Sequence, residues 1–315
     1  MPVFRIHHIT KYEYDRPVKE SFNEIKIFPY KCDDQETLQH ELNITDNPAM
    51  QSFTDYWGNR TGVFNLLLPH KELVIESKVV VRTTAPTQLR VNFQSGWKEL
   101  EKEISENLQL LELTKAEEVK SQTGIKKIIE QINQPDKSIA AVTEACCEYI
   151  YKNFRYIKGI TDIETTVDEI LEHRSGVCQD FAHVMLQLLR MLKIPSRYVS
   201  GYICPNKNGM RGEGATHAWV EVWVPQYGWA GIDPTNNVWI TNTHIKLAVG
   251  RNFHDCTPAK GIFKGPAKQL LSVYVSVGYE DGHVFEEVNK VNMLQKEASL
   301  PPEETVETFA GQQQQ

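Results

Sequence analysis

The sequence predicts an α+β chain. A β-sandwich module over residues 1–85 leads, through a helical connecting region over 86–137, into a core over 138–292 in which a helix packs on an antiparallel sheet. Three observations carry this. The first 85 residues show partial period-2 alternation broken by turn signals and no helical period. Phe181, Met185, Leu188, Leu189 and Leu192 make one strongly apolar helix face. Thr216 to Val224 alternates cleanly, then turns and returns as a partner strand. Residues 293–315 are acidic and polar and read as a disordered tail.

The front strands are Phe4 to Tyr14, ended by Asp15-Arg16-Pro17, then Asn23 to Tyr30, Val63 to Leu68 after a turn at Asp55–Arg60, and Leu73 to Thr83. Past Thr84–Thr87 the period becomes helical, with Leu100, Ile104, Leu108 and Leu111 on one stripe. Ser138 to Phe154 is a clearer helix. Thr166 and Glu169 form a capping box for a short helix through Leu171, and Glu172-His173-Arg174 reads as its solvated end. The helix opened by Cys178 is stopped at Lys193-Ile194-Pro195. Arg197 to Ile203 is a strand and Gly209 to Gly214 a polar, glycine-rich loop. In the next strand Ala218, Val220, Val222 and Val224 share one face, and His217, Trp219, Glu221 and Trp223 the other. Pro225–Gly228 turns the chain into Trp229–Asp233. A late hairpin joins Leu270–Tyr279 to His283–Val288.

A net charge of -7, with no Lys/Arg-rich block, argues against a nucleic-acid partner. No apolar run has the roughly 18–20 residues of a membrane-spanning helix, and the first residues lack a secretory pattern. We therefore expect no membrane partner and a cytoplasmic location. The six cysteines show no disulfide-framework spacing and are expected to be reduced. No Cys-x-x-Cys is present, which removes thiol redox chemistry. No cofactor or metal is expected. Consecutive strand residues His7 and His8 point to opposite faces, Cys178 and His183 lack the i, i+4 spacing of a zinc pair, and no phosphate loop occurs.

Cys178 carries the chemical signal. A thiol attacks as thiolate, and its unperturbed pKa near ~8.5 leaves little of that form at neutral pH. A helix N-terminus and a neighbouring imidazolium both favour the anion. Cys178 follows a Ser-Gly turn in the first turn of an amphipathic helix, where unpaired N–H groups favour negative charge. His217 opens the alternating strand as a base, and Asp233, brought back by the hairpin, would orient it. Singly, each has a plainer reading: a small buried thiol, a strand-end histidine, a turn aspartate before Pro234. Together they read as a Cys-His-Asp triad. An Arg251–Asp255 pair is expected to be structural. Trp219 and Trp223 share the His217 face and are candidates to wall a substrate groove, with burial the expected fate of Trp223.

Gly176–His183, Arg197–Tyr202, His217–Val222 and Gly231–Thr235 together resemble the bacterial transglutaminase-like family, whose members are commonly assigned as cysteine proteases. Phe4–Tyr30 and Gly58–His70 resemble its N-terminal β-module. Gly250–Pro258 is similar to a family loop, with Asn252, Phe253 and Cys256 in place of the usual Asp, Tyr and Val. The resemblance implies a papain-like, transglutaminase-like core, with Cys178 as nucleophile, His217 as base and Asp233 as orienting acid. Tyr156 stands where the family has a Tyr, either as an oxyanion donor or as a core residue. The expected function is cysteine-dependent acyl transfer on peptide or amide bonds. The partner is a peptide or protein substrate, with water or an amine as acceptor. The alternative is a non-catalytic peptide-binding or scaffold protein on the same fold.

Overall fold

The computed structural model describes residues 1–84, 96–132, 137–162, 164–204, 210–212 and 216–280, with the backbone of 284–291 and 306–309. The front of the chain forms β1 (Val3–Val18), β2 (Glu20–Ile25), β3 (Gln35–Ile44), β4 (Met50–Thr54), β5 (Arg60–Leu66) and β6 (His70–Thr83). Alternate residues of β1, from Phe4 through Ile6, His8, Thr10 and Tyr12 to Tyr14, are buried, as period-2 pleating requires.

The connecting region forms α1 (Trp97–Glu106), α2 (Leu108–Glu112) and α3 (Gln122–Ile132). The expected single stripe through Leu111 is broken at Asn107. Its backbone is extended, and its side chain accepts from the N–H groups of Gln109 and Leu110. The break rotates the apolar face, so Leu110 and Leu113 are buried while Leu108 and Leu111 face solvent.

The core follows with α4 (Ile139–Asn153), β7 (Arg155–Tyr156), α5 (Val167–His173), β8 (Ser175–Gly176), α6 (Cys178–Met191), β9 (Ser196–Ile203), β10 (Thr216–Val224), β11 (Gly228–Asp233), β12 (Val238–Trp239), β13 (His244–Gly250) and α7 (Phe253–Cys256). The predicted capping box of α5 is present, with Thr166 and Glu169 satisfying each other's backbone N–H. An antiparallel sheet runs β12-β11-β10-β9-β13. Ala218, Val220, Val222 and Val224 of β10 join Phe181, Met185, Leu188 and Leu189 of α6 in one apolar cluster. This is the mixed α+β core that the alternating strand and the apolar helix predict.

The chain then returns. β14 (Ala259–Lys264), β15 (Gln269–Tyr279), β16 (Val284–Val291) and β17 (Val306–Phe309) extend the front sheets. One sheet runs β16-β15-β1-β6-β3 and the other β17-β14-β2-β5-β4, enclosing a shared apolar cluster. Residues 259–291 fall in the stretch expected to belong to the core. The pairing of β1 with β15, from Phe4↔Tyr279 to Tyr14↔Gln269, draws them into the sandwich instead. Val306–Phe309 falls in the stretch expected to be a disordered tail. This tetrapeptide, rich in β-formers, pairs with β14; residues 293–305 and 310–315 of the tail stretch lie outside the described residues.

Edge chemistry joins the two halves. β13 borders the core sheet, and its outer N–H and C=O groups need partners. The Gln35 side-chain amide donates to Lys246 O and accepts from Lys246 N, both at 2.8 Å. Asn59 does the same for Val249, at 2.7 and 2.8 Å. Two side-chain amides of the sandwich thus stand in for a missing strand. His8 Nδ1 also meets the Tyr202 hydroxyl at 2.6 Å.

Candidate active site

Cys178 is the first residue of α6 and is fully buried. Its position is fixed just upstream. β7 and β8 pair in parallel with Tyr156 beside Gly176, and Ile157 N–H donates to Gly176 O at 2.9 Å. The residue preceding the helix, Val177, has no side chain that can cap. Asp180 turns back instead and accepts from Val177 N–H at 2.7 Å, while the Thr161 hydroxyl donates to the same oxygen at 2.7 Å. Gly176 is required there because a Cβ would lie 2.4 Å from that oxygen. Burial raises the Asp180 pKa to about 6, against the two hydrogen bonds that favour its charge.

His217 and Asp233 are brought together by the hairpin. Val220 of β10 faces Ile232 of β11, which puts Asp233 one step on, level with Trp219 and diagonal to His217. The His217 Nε2 lies 2.8 Å from Asp233 Oδ2, and both side chains are fully buried. Asp233 Oδ1 accepts from Thr235 N–H at 2.8 Å, and Oδ2 also accepts from Asn236 Nδ2 at 2.7 Å. Burial alone would disfavour both charges. The Asp233 carboxylate and the Cys178 sulfur outweigh it and raise the His217 pKa to about 10. Burial likewise opposes the Asp233 charge, but His217 and a second histidine hold its pKa far below the ordinary carboxylate range. Among the described residues His217 Nδ1 makes no hydrogen bond of regular geometry, which leaves it as the nitrogen facing the Cys178 thiol, a hydrogen-bonding partner of the ring.

That second histidine, His244 on β13, was not singled out from sequence. Its Nε2 stands 3.6 Å from Asp233 Oδ2 and its ring is 5.2 Å from Trp219, edge to face. The donor atoms of His217, Asp233 and His244 lie within 4.8 Å of one another, close enough to hold a cation. Hydrogen bonds to His217, Thr235 and Asn236 already account for this arrangement. A signal for His244 existed only in the strand order that places β13 beside β9 and β9 beside β10.

Tyr156 also reaches this region. A Cβ on Gly212 would lie 3.8 Å from its hydroxyl and 3.2 Å from His217 Nδ1, so Gly212, at φ +76°, lies close to both groups. Arg211 fixes that approach. Its N–H donates to Asn236 Oδ1 at 2.7 Å, its carbonyl accepts from Asn236 Nδ2 at 3.2 Å, and its guanidinium covers the Tyr151 ring at 4.6 Å. The remainder of the expected 209–214 loop, apart from 210–212, is outside the described residues.

Other expectations divide. Burial pushes the Cys146 thiol up to about 12, holds Cys147, Cys204 and Cys256 well above the ordinary thiol range, and raises Cys32. Trp219 does not wall an open groove; it is 1% exposed between the two histidines. Trp223 is half-buried, with its Nε1 donating to Glu103. His7 pairs with Glu76 at 2.7 Å while His8 points inward. His183 Nε2 accepts from Phe253 N–H at 3.3 Å. Arg251 meets Asp255 through its backbone N–H, not as a side-chain ion pair. Its guanidinium instead reaches the carbonyls of Glu112 and Lys115, at 3.0 and 2.7 Å, because the connecting region folds over this loop.

An antiparallel sheet presenting His and Asp to the N-terminus of a Cys-bearing helix defines a transglutaminase-like core. Residues 126–234 match the transglutaminase-like superfamily, and residues 4–82 match the bacterial transglutaminase-like N-terminal region. The chain belongs to this family. It is 34% identical over 281 residues to an uncharacterized protein of Mycobacterium leprae, covering 87% of this chain and 97% of that one. A 112-residue stretch is 33% identical to a protein-glutamine gamma-glutamyltransferase of Pseudomonas aeruginosa, covering 33% of this chain and 16% of that protein. The fold is that of a Cytophaga hutchinsonii structure described as a "Putative Cysteine Protease". Its TM-score is 0.67 at 18% identity, covering 98% of this chain and 97% of that one.

Proposed function

We propose that this protein is a cysteine-dependent acyl-transfer enzyme acting on peptide or amide bonds, with Cys178 as nucleophile, His217 as general acid and base, and Asp233 as the orienting carboxylate. The observation that carries the reading is the buried 2.8 Å contact of His217 with Asp233, with the other ring nitrogen left to a thiol at a helix N-terminus. A histidine pKa raised to about 10 keeps the ring protonated at neutral pH, the partner a thiolate needs. The thiolate attacks the carbonyl carbon, and the oxyanion meets the Cys178 N–H, with the Tyr156 hydroxyl as the candidate second donor. His217 passes its proton to the departing amine, leaving an acyl-thioester on Cys178. Neutral His217 then takes a proton from the acceptor, and the collapse of the second tetrahedral adduct frees the thiolate. With water as acceptor the enzyme is a peptidase or amidase; with an amine it is a transglutaminase. Family analogy favours water. A cytoplasmic location, with its cysteines reduced, is part of the same reading. Among the described residues no helix is long and apolar enough to cross a membrane.

The full burial of Cys178, His217 and Asp233 favours the second reading, a peptide-binding protein that keeps the fold without turnover. One experiment separates the two. The intact protein is incubated with peptide libraries, with and without added amine, and weighed by mass spectrometry. Acyl-enzyme on the wild type, absent from Cys178→Ala at nearly unchanged Tm, is the expected result. Turnover that survives Cys178→Ala, or a Cys178 alkylated by iodoacetamide no faster than Cys32, overturns the proposal.

A further inference from the structure

Asp233 has to keep a negative charge in a dry interior and hold one orientation while the charge beside it comes and goes. Three ordinary hydrogen bonds serve this, from His217, Thr235 and Asn236. When His217 gives up its proton, the carboxylate loses the positive charge it is hydrogen-bonded to. The ring of His244 remains. Its side chain is 1% exposed, and its Nε2, 3.6 Å from Asp233 Oδ2, has no hydrogen-bond partner among the described residues. The Thr243 hydroxyl lies 3.0 Å from its Nδ1. With that hydroxyl donating to Nδ1, the ring proton sits on Nε2 and points at the carboxylate. Trp219, edge-on at 5.2 Å, fixes the ring plane, and β13 is itself held by the Gln35 and Asn59 amides.

On the reading given under Proposed function, we propose that His244 is a positioning residue that acts through Asp233 to set the orientation and basicity of His217. Among the described residues the titratable groups facing it are Asp233 from β11 and His217 from β10; Trp219 and Thr243 also touch it. Burial lowers the His244 pKa, against the pull of Asp233, so the ring is neutral at physiological pH and acts as an N–H donor. It touches neither thiol nor substrate in this role. A donor held just beyond full hydrogen-bond length keeps Asp233 from turning away during the interval in which His217 is uncharged.

The test uses the full-length protein and iodoacetamide, with site-resolved mass spectrometry of Cys178 across pH. His244→Ala is expected to slow alkylation at pH 6 by about tenfold and to move the inflection upward by about one unit, since one unit is a tenfold change in thiolate fraction. His244→Gln, whose amide can still donate from a similar distance, is expected to recover most of this loss at an equal Tm. An inflection unmoved in a folded His244→Ala overturns the proposal. So does a parallel loss in both variants that tracks a fall in Tm, which makes His244 a packing residue. Wild-type Cys178 reacting no faster than Cys32 removes the acyl-transfer reading itself, and this inference with it.

Discussion

Four residues apart on β10, His217 and Glu221 each anchor a buried charge cluster, and the two behave oppositely. Glu221 meets the Arg197 guanidinium at 2.6 and 2.7 Å and the Lys246 ammonium as well. Arg197 in turn lies on the Trp229 ring at 4.2 Å. Burial disfavours the carboxylate, but Arg197 and Lys246 overcome it and lower the Glu221 pKa to about 2. Each charge in that cluster is answered by a neighbour. At His217 the ring nitrogen opposite Asp233 stays open to a thiol. Burial and charge alone therefore mark architecture. A reactive centre also needs a group that can change protonation state and a valence left unfilled.

This contrast can be broken at either end. Asp233→Asn should have the largest effect, lowering acyl transfer about 10³–10⁴-fold by losing the histidine's orientation. It should leave part of the iodoacetamide reactivity of Cys178, because the helix N-terminus remains; loss of less than tenfold in turnover would remove Asp233 from the mechanism. Glu221→Gln should instead cost stability, about 3–5 kcal/mol, by leaving two buried cations short of a partner. The Glu221 pKa is depressed, so its contribution is present above its ordinary value of 4.5 and is lost as pH falls toward about 2. Urea unfolding should show the variant's deficit at pH 7 and its shrinkage at pH 3; equal deficits at both would sink the assignment. The sign reverses for His217. Its raised pKa contributes stability fully present below 6.5 and lost as pH climbs through about 10.

The smallest effect is expected at Asp180. Its carboxylate accepts from the backbone just before Cys178 and titrates at about 6. Protonation below that pH weakens the bond that sets the turn, and the folded chain holds this proton more tightly than an unfolded one. The alkylation profile of Cys178 should carry an acid limb near pH 6 that flattens in Asp180→Asn, with rates at pH 7 within about threefold of wild type. A limb unchanged in the variant would assign it to another group.

What was readable in the sequence was local. The alternation of Thr216–Val224, the stripe of α6, the Thr166 cap and the stop at Lys193 each depend on neighbours along the chain. The structure reproduces them, with Lys193 at φ 62° and Ile194 N–H closing onto Leu189 O. What was not readable was distant. Nothing near residues 259–279 says that these strands will pair with β1 and β2 more than 230 residues earlier. Asn107 caps a new helix at a position that the apolar spacing runs straight through. Arg251 reaches carbonyls on another element, which no spacing within its own loop encodes. His244 is the same kind of case, a lone histidine at a strand start, distinguished only by the strands that come to lie beside it.

The amides of Gln35 and Asn59 have one more implication. A sheet border normally carries its own protection, through charge, a bulge or a neighbouring strand. Here the border of the His- and Asp-bearing sheet is guarded by two side chains belonging to the other half of the molecule. The two halves are therefore not a chemical unit with an ornament attached. Severed from its front, the core would show raw strand backbone to any chain that passed.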